Sequence, residues 1–73
     1  MTQQEIGMAV KEKRKELGIN QQTLADLVGV AVNTVVAIER GAGNPKLATL
    51  QVILDTIGLQ IDINPKQLEY ETM

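Results

Sequence analysis

The chain has no cysteine, histidine, phenylalanine or tryptophan, and a single tyrosine. Without cysteine, neither a disulfide framework nor a thiolate metal site can support a small core. Without histidine, the commonest general base and the commonest metal ligand are missing. Without phenylalanine and tryptophan, few aromatic faces remain on which unpaired bases stack. These absences argue against an enzyme, and no metal, cofactor or small-molecule substrate is expected. Long apolar runs are missing too. Charges interrupt the N-terminal MTQQEIGMAVKEKRKELG, and no later window approaches the roughly 20 apolar residues that span a bilayer. A cytoplasmic protein with no membrane partner is expected.

Seventy-three residues make one domain. A domain this small buries only about 60% of its unfolded surface, so a partner chain is expected to add to the core. The net charge of −2 at first sight disfavours a polyanionic partner, but it is unevenly distributed. Residues 1 to 46 hold six Lys/Arg against five Asp/Glu, a balance of +1, whereas Lys66 faces Asp55, Asp62, Glu69 and Glu71 in the remainder, a balance of −3. The acidity lies at the C-terminal end.

Four segments carry helical periodicity. The first runs from about Gln3 to Leu17, with Thr2 and Glu5 spaced as a capping box and Gly18 as a stop. Ile6, Val10 and Leu17 share a face, and Arg14 falls on that same face. Asn20 is placed to cap a second helix, Gln21 to about Val28, with Leu24, Ala25 and Val28 inward and Gly29 ending it. A third helix, from Val32 to about Arg40, turns Val35 and Ile38 inward and carries Glu39 onto the same side. Two opposite charges on two apolar faces predict a buried ion pair, Arg14 with Glu39, although both side chains can instead reach the surface separately. GAGNPK reads as a loop. It is not a phosphate-binding loop, because no Lys-Ser/Thr follows the glycines. A fourth helix, about Leu47 to Ile57, ends at Gly58.

The period then changes. Leu59, Gln60, Ile61, Asp62 and Ile63 alternate apolar and polar residues as a strand does, and Pro65 ends the run. A lone strand leaves its backbone donors and acceptors unpaired. The simplest solution is the same strand of a second copy, antiparallel about a two-fold axis, with Leu59, Ile61 and Ile63 packed onto the helices. The alternative is a tail that packs on its own helices without pairing. The expected organisation is therefore a helical domain at 1–58, a dimerisation strand at 59–63 and a loose acidic tail at 64–73.

Two short helices joined by a tight Gly-containing turn are the arrangement that presents a second helix to the major groove. The run LGINQQTLADLVGVAVNTVVAIERG resembles the helix-turn-helix of the Cro and cI repressor family of phage and bacterial regulators. The matching positions are Gln21, Leu24, Ala25, Gly29, Val30, Thr34, Val35, Ile38, Glu39 and Gly41. The resemblance implies a mainly α, four-helix, lambda-repressor-like domain, here with the C-terminal β-strand pairing across a homodimer. It also implies a phosphate contact from Gln21, and base-edge contacts from Val32, Asn33, Val36 and Ala37. Asn33 is the one polar side chain among those four, suited to a bidentate bond to adenine, while Val32 or Val36 suits thymine methyls. The same two valines can equally be outward apolar residues covered by a protein. Arg40, Asn44 and Lys46 are implied as backbone contacts, with Lys11, Lys13 and Lys15 as possible additions.

Downstream, NPKLATLQVILDTIGLQIDI is similar to antitoxins of the HipB type, including Y4mF-like proteins, in which the strand forms a sheet across the dimer. The family places Thr or Ser where this chain has Lys46. The implied function is a homodimeric repressor of double-stranded DNA on a palindrome in its own promoter, the bacterial antitoxin partner of a HipA-like kinase. A stand-alone phage-type or metabolic regulator without a toxin is the alternative. A protein-interaction module that has lost DNA binding is a third possibility, and it predicts no salt-dependent affinity for DNA.

Overall fold

A computed structural model describes residues 2–61. Its elements are four helices: α1 (Gln3–Glu16), α2 (Gln21–Val28), α3 (Val32–Glu39) and α4 (Leu47–Thr56). Local chemistry sets their ends. The Thr2 hydroxyl accepts from the Glu5 amide at 3.1 Å, and the Glu5 carboxylate accepts from the Thr2 amide at 2.8 Å, a reciprocal box that starts α1. The Asn20 side chain accepts from the Thr23 amide at 2.7 Å and starts α2. α3 and α4 begin at Ala31 and Lys46, neither of which supplies a side-chain cap. At the far ends of α1, α3 and α4, two amides fold back onto the last carbonyls, as when Gly41 donates to Ile38 and Ala42 to Ala37.

Between α2 and α3 the chain changes direction by 117°. Gly29 makes the turn possible: its φ of +81° lies in the left-handed region, and its amide and that of Val30 both donate to the Ala25 carbonyl. α3 packs against α1 and α2, and α4 packs against α2. Val10, Leu24, Val35 and Ile53 are fully buried where these faces meet, joined by Ala25, Ile38, Leu50, Leu54 and Ile57. Gly7 lets α1 come close to α3. A Cβ built there would overlap the Ile38 carbonyl oxygen and lie 3.0 Å from that of Glu39, so no larger residue fits without moving backbone.

No strand is present among the described residues. The strand expected from Leu59 onward is not formed at 59–61, and Asp62 and Ile63 lie outside the described residues, as does the expected acidic tail. Locally, the Leu59 amide donates to the Leu54 carbonyl at 2.8 Å and so belongs to the end of α4 rather than to a ladder. Leu59 and Ile61 are half-buried against the core together with Ile6. In the single chain, residues 59–61 rest on its own helices. No single described helix is long and apolar enough to cross a membrane.

Candidate nucleic-acid interface

The site is built on the buried ion pair beneath it. Arg14 Nε donates to Glu39 Oε2 at 2.6 Å and Arg14 Nη2 donates to Glu39 Oε1 at 3.1 Å, a two-pronged pairing of α1 with α3. Arg14 Nη1 also donates to the Ile19 carbonyl at 2.8 Å, which ties down the chain between α1 and α2. The side chains are 9% and 2% exposed, so each charge depends on the other for its neutralisation. The hydrogen bond to Glu39 lifts the Arg14 guanidinium above its ordinary pKa, against the opposing effect of burial. No buried side-chain nitrogen or oxygen among the described residues lacks a partner.

Above this pair, Gln21 opens α2 half-buried, and its Nε2 donates to Glu39 Oε1 at 3.1 Å. On α3, Val35 and Ile38 point into the core, which leaves Asn33 exposed and Val36 and Ala37 half-exposed. Val32 is half-buried and packs against the core cluster, so part of its surface is already committed to the fold. Asn33 and Ala37 line a concavity of about 310 Å³ with Thr34, Ile38 and the loop residues Ala42, Gly43, Asn44 and Pro45. The structure therefore brings Asn33, Ala37 and Asn44 into one recess. Arg40, between the helical and loop residues of the lining, and Lys46, just after its last residue, are exposed and do not line it, and neither do Gln21, Val32 and Val36.

One contributor has no sequence signal. Gln3 Nε2 donates to the Gly43 carbonyl at 2.7 Å and to that of Ala42 at 3.4 Å, so the start of α1 anchors the wall of the recess. A polar residue in the first turn of an exposed helix does not announce such a bond. Gly7 was legible in principle, as a glycine three and seven residues before Val10 and Arg14 on one helical face. The carboxylate of Glu5 is held below its ordinary pKa, first by the backbone N–H of Thr2 and then by the Thr2 hydroxyl. Among the described residues, no three acidic, histidine or cysteine side chains converge as a metal site.

A buried-pair scaffold carrying two short helices across a sharp glycine turn, with the second helix exposed along one side, defines a helix-turn-helix domain. A family model described as helix-turn-helix matches residues 10–64, and the chain belongs to that family of XRE-type regulators. It is 41% identical over 49 residues to an uncharacterized HTH-type transcriptional regulator of Methanothermobacter thermautotrophicus, an alignment covering 67% of this chain and 71% of that protein. It is 34% identical over 62 residues to the HTH-type regulator y4mF of Sinorhizobium fredii, covering 85% and 82%. The immunity repressor protein of Bacillus phage phi105 is 29% identical over 75 residues, covering 92% of this chain but only 52% of the repressor. The chain thus spans about half the length of that phage protein.

Proposed function

We propose that this protein is a non-catalytic transcriptional repressor that binds a palindromic operator as a homodimer, with α3 in the major groove. The observation that carries this reading is the geometry of α2 and α3: a 117° turn over a shared core, with Asn33 exposed above a recess shared with Ala37 and Asn44. Asn33 reads a base edge, and Val36 and Ala37 make apolar contacts beside it. Gln21, Arg40, Asn44 and Lys46 hold the phosphate backbone, and the amides at the uncapped starts of α3 and α4 add donors there. Repression follows from occupancy of promoter DNA.

Dimerisation through residues 59–63 completes this reading. Its support is a concavity of about 380 Å³ lined by Leu59 and Ile61 with Ile6, Ala9 and Leu54, rimmed by Glu5 and Gln60, a mostly apolar surface that a second copy can extend. Two α3 helices about 34 Å apart then meet successive major grooves. The assignment of a HipA-like kinase as partner rests on the resemblance of residues 44–63 alone, and co-purification with a neighbouring kinase gene product decides it.

The test of the repressor reading is native mass in solution, followed by selection from random duplexes at two salt concentrations. A dimer that recovers a palindrome, with affinity falling as salt rises, is expected. A well-folded protein that selects no sequence at low salt would make the α3 face a protein-docking surface instead.

A further inference from the structure

The Gln21–Glu39 bond joins the buried ion pair to a residue on the proposed DNA face. Glu39 Oε1 accepts from both Arg14 Nη2 and Gln21 Nε2, each at 3.1 Å, and Arg14 is itself fixed by Ile19. The acceptor that holds Gln21 is therefore a core group with a side chain only 2% exposed, not a mobile surface carboxylate. A free carboxamide can present either its oxygen or its nitrogen, whereas a carboxylate accepts only from the nitrogen and repels the oxygen. One of the two Nε2 hydrogens is thereby engaged and the second remains. Arg14 neutralises Glu39, so the carboxylate can orient Gln21 without setting an uncompensated negative charge against a phosphate.

We infer that Glu39 is a positioning residue for DNA binding. It holds Gln21 by one N–H so that the other is kept, in a fixed orientation, for a backbone phosphate. This rests on the DNA-binding reading above. A glutamine already held loses less rotamer freedom on binding than one that must be ordered by the DNA.

The experiment is a double-mutant cycle on the affinity of the full chain for a duplex carrying the selected palindrome. In the wild-type background, Gln21→Ala weakens binding about tenfold per protomer. The slope of log affinity against log salt stays unchanged, because a neutral carboxamide displaces no counterion. In the Arg14→Met/Glu39→Leu background, where apolar side chains replace the pair and the fold is retained, binding is already weaker, and Gln21→Ala adds less than about threefold. An equal cost of Gln21→Ala in both backgrounds would overturn the inference.

A second measurement avoids any dependence on the folding of that double variant. The side-chain amide protons of Gln21 are followed by NMR in the wild-type protein as duplex is added. One proton protected from solvent exchange before DNA is added, with the other shifting on binding, is expected. Two unprotected protons, or no shift on binding, would contradict it. If the wild-type protein binds no duplex at low salt, the DNA-binding reading itself fails, a result distinct from binding without coupling.

Discussion

Replacing Glu39 with alanine isolates the interaction on which the packing of α1 against α3 depends. The substitution removes the acceptor of two Arg14 bonds and one Gln21 bond and leaves a buried guanidinium with only the Ile19 carbonyl as partner. Stranding one member of a buried pair costs about 3 to 5 kcal/mol. A 73-residue domain has roughly 4 to 11 kcal/mol of stability in total, so the loss takes a large share of it. At about 4 °C per kcal/mol or more for a domain of this size, the Tm falls by at least about 12 °C. Thermal and urea unfolding followed by circular dichroism measure this. The companion variant Arg14→Met/Glu39→Leu, with no charge left to strand, is expected to recover most of the loss. A Glu39→Ala protein melting within about 2 °C of wild type would refute the reasoning, because the pair would then be exchanging freely with water.

Gly7→Ala should lower stability by about 1 to 3 kcal/mol despite the better helix propensity of alanine, because the new Cβ meets the Ile38 and Glu39 carbonyls; a Tm at or above wild type would contradict the close approach. Leu24→Ala, at a fully buried position, should cost about 2 to 5 kcal/mol in denaturant titrations. The lowered pKa of Glu5 means that its contribution is fully present above its ordinary value of 4.5 and is lost as pH falls through the lowered one. Glu5→Gln should accordingly flatten the acid limb of a stability-against-pH curve in that window while leaving its shape near neutrality unchanged. Asn33→Ala should leave the melting curve unchanged but relax discrimination at one operator position by about 1 to 3 kcal/mol, read by competition with single-base variants.

Local signals made the helices legible. Thr2 with Glu5 and Asn20 are caps whose spacing specifies their bonds, and Gly18, Gly29 and Gly58 lie just beyond the last helical turns. The Arg14–Glu39 pair was legible because a charge in the row 6, 10, 14, 17 demands a partner, and α3 offers one charge on its inward side. What escaped is what depends on distant backbone. Gln3 reaches carbonyls about forty positions away, and Gln21 turns toward a buried carboxylate rather than standing free. The alternation at 59–63 marks apolar side chains that seek cover, and this pattern is the same whether cover comes from a second copy or from Ile6 and the core. A strand needs a neighbour, and sequence period alone does not supply one.

The most direct test of the central claim is residue-resolved mapping of backbone amides as the wild-type protein is titrated with the selected duplex. The account predicts the largest shifts at the start of α2, along Asn33 to Ala37 and in the loop from Ala42 to Lys46, with little change around Val52 on α4. Shifts concentrated on α4 and the exposed side of α1, with α3 silent, would contradict it.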